Sequence, residues 1–270
     1  MDQWLEAGRR PHARTGRRLT QTALQQRQEP CPPRGTALVC ARPLKRLSQD
    51  AQPAGPGEKL PAGSRYGAVV GFESAYRDGE PPWDIGRAQP AFARLAEEGA
   101  IAGSVVDVGC GTGENALYFA SLGHDVTGID AAPTAIARAR GKAAERAIRV
   151  TFLEADAIDV GGVTRTFDNA IDSGFFHVLS DDERVRFARR LHAALGPGGR
   201  YFMLCFSDRQ PGTAGPRRVS QAEIRAAFSN GWRVDSIVED RFATHGDSSG
   251  PAPLAWLVSL TRLPDGEPRQ

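Results

Sequence analysis

Nowhere does this 270-residue chain hold the roughly 18 consecutive apolar residues that a membrane helix needs. Its N-terminus is basic but has no apolar stretch resembling a secretory signal. The expectation is a cytoplasmic protein. Cysteine is scarce: Cys31, Cys40, Cys110 and Cys205 are the full set, and no two form a C-x-x-C pair. That spacing suggests neither a zinc centre nor a disulfide framework, so no metal is expected. Lysine is rarer still, with Lys45, Lys59 and Lys142 against 31 arginines. What remains is ordinary for a globular protein: 40% hydrophobic and 24% charged residues.

Charge is uneven along the chain. Residues 1–64 hold 11 Lys/Arg and 5 Asp/Glu, while the rest carries a net charge of −4. The acidic body argues against tracking phosphate backbones, so nucleic acid is not an expected partner. Residues 1–64 also hold eight of the 19 prolines and little apolar periodicity. Such a segment buries too little apolar surface to offset ordering, which predicts a disordered basic Pro/Arg-rich extension. A nucleic-acid-binding arm and a transit peptide are its alternatives. The folded domain is expected over 65–270, with a lid segment over 66–100.

Strand and helix patterns alternate from there. "PAFARLAEEG" (90–99) reads as a helix, "SVVDVG" as a buried strand, "ENALYFASLG" as a helix and "HDVTGID" as a strand. A helix follows from Pro133, then the strands "IRVTFLEAD" and "FDNAIDSG". Ser180 with Glu183, and Ser220 with Glu223, form S-x-x-E boxes that open two further helices. Val185, Ala188, Leu191 and Leu195 are expected on the core face of the first of these. "RYFMLCFS", "WRVDSIVED" and "LAWLVSLTR" complete seven strands. The alternation predicts an α/β fold, a doubly wound, mostly parallel sheet. The last two strands have no helix between them and should form an antiparallel edge pair.

Ligands of such sheets bind beyond the carboxyl ends of the strands. There the chain reads "DVGCGTG" (107–113). Glycine removes the Cβ and tolerates positive φ, so a ligand can approach the backbone. The spacing G-x-G-x-G differs from the dinucleotide fingerprint G-x-G-x-x-G. Glu114, next in sequence, would repel a pyrophosphate but not a cationic ligand. Asp130 ends the second strand, where a carboxylate can accept from both hydroxyls of a ribose. Asp156 ends the third, in "EADA", where it can accept from an adenine amino group.

Together "VVDVGCGTG", "GID", "EADA" and "LGPGGRYFML" resemble the class I S-adenosylmethionine-dependent methyltransferases over residues 104–206. The resemblance implies a Rossmann-like sheet ordered 3-2-1-4-5-7-6 and S-adenosyl-L-methionine as cofactor. It implies that Asp107, Gly109, Gly111 and Gly113 form the cofactor loop. Asp130 and Ala131 would take the ribose, Asp156 and Ala157 the adenine, and Ser173 would follow the fourth strand. "WDIGRAQP" is similar to the entry segment of the thiopurine and tellurite-resistance branch, which makes Trp83 a cofactor-covering residue. The thiopurine enzymes differ in the glycine loop and carry arginine about where Ser173 stands.

The acceptor is less legible. "IDSGFF" replaces the [ND]-P-P-[YF] motif of base-amine and glutamine-amide methyltransferases. The expectation is therefore a thiol or a phenol/quinone hydroxyl of a small apolar molecule. His177 is the candidate general base; His245 and Asp208 are weaker candidates, and Met203 and Cys205 read as core. Two rival readings are a nicotinamide-dependent oxidoreductase and a non-catalytic S-adenosylmethionine-binding protein. Nothing in the sequence fixes the oligomeric state.

Overall fold

The computed structural model describes residues 65–213, 215–245 and 251–265. The expected extension over 1–64 lies outside them, with Cys31 and Cys40. The elements run α1 (Arg65–Asp78), α2 (Pro90–Glu97), β1 (Ser104–Val108), α3 (Glu114–Ser121), β2 (Asp125–Asp130), α4 (Pro133–Glu145), β3 (Thr151–Glu154), β4 (Phe167–Ser173), α5 (Asp181–Ala194), β5 (Leu195–Phe206), α6 (Gln221–Ala227), β6 (Trp232–Arg241) and β7 (Leu254–Arg262). The strands form one sheet in the order β3-β2-β1-β4-β5-β7-β6. The first five pair in parallel, and β7 runs antiparallel to both β5 and β6. Fold class and strand order are as expected.

Strand alternation splits the core into two layers. Val106 and Val108 of β1, Ala170 of β4 and Tyr201, Met203 and Cys205 of β5 pack with Phe187 and Leu191 of α5 and Ile224 of α6. Val105, Ile171, Phe202 and Leu204 point the other way, onto Phe92 of α2, Phe119 of α3 and Ile136 of α4. Both capping boxes are formed, at Ser180–Glu183 and Ser220–Glu223. Met203 and Cys205 are core residues, as read.

Three local expectations need correction. Val185 is 50% exposed; the core face of α5 is Arg184, Phe187, Ala188 and Leu191. Arg184 buries its stem and lays its guanidinium 4.8 Å over the Phe176 ring, so an arginine occupies a position where apolar periodicity was sought. β3 begins at Thr151, because Ala147 turns to φ 51° and Ile148 N–H closes α4 by donating to the Ala143 carbonyl at 2.9 Å. The third is α1, a helix the sequence did not announce. Gly67 and Gly71 lower its propensity, and partners on α4 hold it. Arg138 donates to the carbonyls of Tyr76 and Gly79 at the C-terminal end of α1, while Glu73 accepts from Thr134 N–H (3.1 Å) and its hydroxyl in the first turn of α4. Each contact places charge where a helix dipole favours it.

Two carboxyls lie beneath the site, wholly within the sheet. Asp172 accepts from Phe175 N–H (2.6 Å), Phe176 N–H (2.9 Å) and Tyr201 Oη (2.9 Å), and so fixes the turn after β4. Asp107 leaves Oδ2 without a hydrogen-bond partner. Burial first, and then the charge of Asp172, push Asp107 up to about 8; burial also pushes Asp172 up to about 7. Both folded values exceed the ordinary 3.8, so the folded protein holds these protons longer than the unfolded chain. Their contribution to stability is complete below about pH 3.8 and is lost as pH rises through about 7 to 8. Asp107→Asn cannot ionise. It is expected to raise the melting temperature relative to wild type at pH 9 and to gain less at pH 5, read by calorimetry at both pH values.

Candidate active site

A 620 Å³ cavity opens beyond the carboxyl ends of β1, β2 and β4, under the segment that joins α1 to α2. Of the sequence candidates, Trp83, Gly109, Gly111, Asp130, Ala131, Ala157, Ser173 and His177 lie in its wall. Asp107, Gly113 and Asp156 do not. Asp107 sits below the loop and is 1% exposed. Gly113 has φ 83°, and a Cβ there would strike Phe152 at 2.7 Å, so it serves the packing of α3 on β3 and α4. Asp156 accepts from Ile158 N–H at 2.9 Å and caps the kinked 3-10 segment Ala157–Gly162 that follows β3. His245 reaches the site only through its backbone N–H, which donates to the Pro82 carbonyl at 2.6 Å. The Asp208 carboxylate accepts from the Trp256 indole at 3.2 Å, outside the wall.

The loop glycines are required by side chains as well as by a ligand. Gly109 and Gly111 have φ of 67° and 54°. A Cβ at Gly109 would meet the Phe175 side chain at 2.9 Å, and one at Gly111 the Tyr76 hydroxyl at 2.6 Å. Tyr76 thus seals α1 against the loop. Its hydroxyl accepts from the Trp83 indole at 2.9 Å, and Phe72 meets the Trp83 ring edge-on at 5.7 Å. Trp83 is 43% exposed, at the mouth of the cavity. Sequence reasoning missed Phe72 and Tyr76; the aromatics in "FESAYRD" were the available signal, without helical context to orient them.

Asp130 holds the loop in place. Its Oδ2 accepts from Gly111 N–H and its Oδ1 from Ala132 N–H, both at 2.8 Å. Burial raises its carboxyl above the usual range, and these N–H groups oppose the rise. Lone pairs remain on both oxygens to accept from a vicinal diol. Glu114 lies in the cavity wall, but its charge is taken up by protein partners rather than left for a ligand. Arg146 grips it with two bonds of 2.8 and 2.9 Å, and Lys142 lies 2.8 Å away. These partners hold its carboxyl below the usual range. The spacing of the glycines, rather than Glu114, distinguishes this loop from a dinucleotide site.

The other end of the cavity is aromatic. Phe206 ends β5 and Phe242 follows β6, their rings 5.3 Å apart and tilted by 32°. His177 stands edge-on to both, at 5.3 and 5.9 Å. Its Nδ1 accepts the Phe206 N–H at 3.2 Å, which assigns the ring proton to Nε2. Burial, then Arg184 and Arg218, lower the histidine to about 3. The lid is sewn to this end. Gln89 donates from its side chain to the Ala243 carbonyl and accepts from Ala243 N–H, both at 2.9 Å. Phe242 and Gln89 were not foreseen, because Gln89 meets Ala243, the neighbour of Phe242, across 154 residues of chain.

The methyltransferase-domain family matches residues 105–199, which hold the glycine loop, Asp130 and β4. The 2-heptyl-1-hydroxyquinolin-4(1H)-one methyltransferase of Mycobacteroides abscessus is 40% identical over 186 residues, covering 65% of this chain and 82% of that protein. Probable thiol methyltransferase 2 of Arabidopsis thaliana is 31% identical over 196 residues, covering 71% and 86%. A solved structure from work on the conversion of a disulfide bond into a thioacetal group during echinomycin biosynthesis is 36% identical, with a TM-score of 0.66 over 72% of this chain and 93% of that one. The oxidoreductase reading falls with these matches. A seven-stranded sheet, a G-x-G-x-G loop pinned by the acid that ends β2, and relatives of this extent agree: the chain belongs to the class I S-adenosylmethionine-dependent methyltransferases.

Proposed function

We propose that the chain methylates an ionised oxygen or sulfur atom on a small, flat, largely apolar molecule. The observation that carries this is the state of His177. Its single lone pair is committed to the Phe206 N–H, so the histidine in the cavity wall is a donor and not a base. An acceptor that ionises by itself has no need of one. A thiol, with a reference pKa of about 8.5, meets that condition more easily than a phenol at about 10. Activated hydroxyls meet it too. The hydroxyquinolone and thiol relatives support both choices. Phe206, Phe242, Val178 and Leu179 offer apolar walls to a flat ring.

When bound, the cofactor supplies a methyl group on a sulfonium centre. The protein positions and desolvates. Asp130 accepts from the ribose hydroxyls, Ala131 and Ala157 flank the adenosine, Gly109, Gly111 and Ser173 line the methionine arm, and Trp83 covers it. Asp107, Gly113 and Asp156 act from behind, by holding the loop, the start of α3 and the turn after β3. The acidic body supports a small-molecule acceptor over nucleic acid. Among the described residues no helix is long and apolar enough to cross a membrane, and a cytoplasmic setting is part of this proposal.

The test is mass spectrometry of the full chain incubated with deuteromethyl-labelled cofactor and, separately, 2-heptyl-1-hydroxyquinolin-4(1H)-one, thiophenol and 4-nitrophenol. A labelled O- or S-methyl product from at least one is expected. A parallel incubation with aniline serves as the amine control, and labelling of the amine alone would overturn the proposal. Tight cofactor binding with no labelled product from any acceptor would install the non-catalytic reading.

A further inference from the structure

Charge in the cavity wall is almost all accounted for. Asp84 accepts from the Thr112 hydroxyl at 2.7 Å and lies 3.5 Å from the Lys142 ammonium. Glu114 is paired with Lys142 and Arg146, Asp130 with two backbone N–H groups, and His177 is neutral. Arg87 differs. It is the one arginine or lysine among the described wall residues, and its guanidinium makes no hydrogen bond or ion pair with any described residue.

Its place is set by neighbours. Two residues on, Gln89 is buried and bonded in both directions to Ala243 and through its backbone N–H to Asn115 Oδ1 at 2.9 Å. Ala243 stands between Phe242 and Thr244, both in the wall. Seven residues before Gln89, the Pro82 carbonyl accepts from His245 N–H. The lid therefore runs along residues 242–245, and Arg87 stands exposed in the cavity wall between Asp84, which is tied to Thr112 beside the glycine loop, and Gln89, which is tied to Ala243. Trp83, by contrast, is tied to Tyr76 and so to the glycine loop. Arginine is always charged and presents a planar fork of donors suited to an oxyanion.

The geometry points to Arg87 as the residue that selects an anionic acceptor, binding the ionised oxygen or sulfur, or the conjugated oxygen that shares its charge. The inference rests on the proposed methylation of an ionised atom. In the transfer a lone pair of the anion forms the bond to the methyl carbon, and the pair of the breaking carbon–sulfur bond returns to sulfur. An anion and a sulfonium become a neutral ether or thioether and a neutral sulfide. Negative charge on the acceptor is therefore greatest before the transition state. A cation beside it strengthens acceptor binding more than it lowers the barrier. It also lowers the pKa of the bound acceptor.

The test uses Arg87→Gln and Arg87→Lys in the full chain. Calorimetry measures 2-heptyl-1-hydroxyquinolin-4(1H)-one binding to the protein saturated with S-adenosylhomocysteine. It also measures S-adenosylhomocysteine and 5′-methylthioadenosine, which lacks the amino-acid carboxylate, each alone. Arg87→Gln is expected to weaken acceptor binding at least about tenfold, with Arg87→Lys partly restoring it and both nucleosides unaffected. In turnover KM should rise with kcat unchanged or higher, and the pH–rate profile should move to higher pH. Unchanged acceptor binding in Arg87→Gln would overturn the inference. So would a loss of S-adenosylhomocysteine affinity that spares methylthioadenosine, because Arg87 would then hold the cofactor carboxylate. Those two results leave wild-type turnover intact. If wild type neither binds nor methylates the quinolone, thiophenol or 4-nitrophenol, the proposed function fails first and this inference with it.

Discussion

Asp130→Ala is expected to weaken S-adenosylhomocysteine binding by about 100-fold or more in calorimetry, with the fold retained. A charge-assisted hydrogen bond is worth about 1.5–3 kcal/mol, and two ribose hydroxyls are in play. Even the lower figure, taken twice, gives about 3 kcal/mol, or about two powers of ten in affinity. The structure adds a second loss. Each oxygen of Asp130 already holds one backbone N–H, from Gly111 and from Ala132. Alanine would free the glycine loop as well as the ribose, so the bound loop would have to be ordered during binding. Asp130→Asn keeps one carbonyl acceptor and should fall between wild type and alanine. Its melting temperature without ligand should stay closer to wild type than that of the alanine variant. Unchanged affinity in Asp130→Ala would remove the residue from the cofactor site.

The residues that sequence reasoning found here are those whose neighbours in the chain explain them. Asp130 ends a strand, Gly109 and Gly111 follow one, and Ser180 and Ser220 open helices three residues before a glutamate. Each is recognisable within about ten residues. The same holds for β7, whose alternating pattern over Leu254–Arg262 gives both of its ends. What escaped depends on contacts between distant segments. α1 forms because Arg138 and Thr134 of α4 satisfy its carbonyls and its Glu73. The lid is closed by Gln89 and Ala243, and no local pattern joins them. Glu114 shows the opposite failure. Its position suggested an electrostatic role toward the ligand, but Lys142 in the last turn of α4 and Arg146 at its C-cap consume its charge. Charges assigned by sequence position need their partners before they can be given work.

His177 brings both lessons together, and its replacement separates packing from chemistry. The ring is 6% exposed between Phe206 and Phe242, and its Nδ1 is the acceptor for Phe206 N–H. Alanine would leave a void between two aromatic rings and remove that acceptor. The expected cost is about 2–4 kcal/mol of stability. For a domain of this size that is roughly 5–15 °C in melting temperature. Asparagine can present its side-chain oxygen near the position of Nδ1, so His177→Asn should recover part of the loss. The kinetic expectation runs the other way. A general base would contribute roughly 10²–10⁴-fold to kcat, and both variants would lose that factor together with the limb of the pH–rate profile due to histidine. A neutral ring lowered to about 3, with its lone pair already engaged, has no such limb to lose. With an acceptor identified by deuteromethyl transfer, His177→Asn should therefore keep kcat within about tenfold of wild type, and the rate should still follow the ionisation of the acceptor. A thousandfold fall in kcat for His177→Asn, with S-adenosylhomocysteine affinity and melting temperature near wild type, would make His177 the base and move the acceptor toward phenols that cannot ionise unaided.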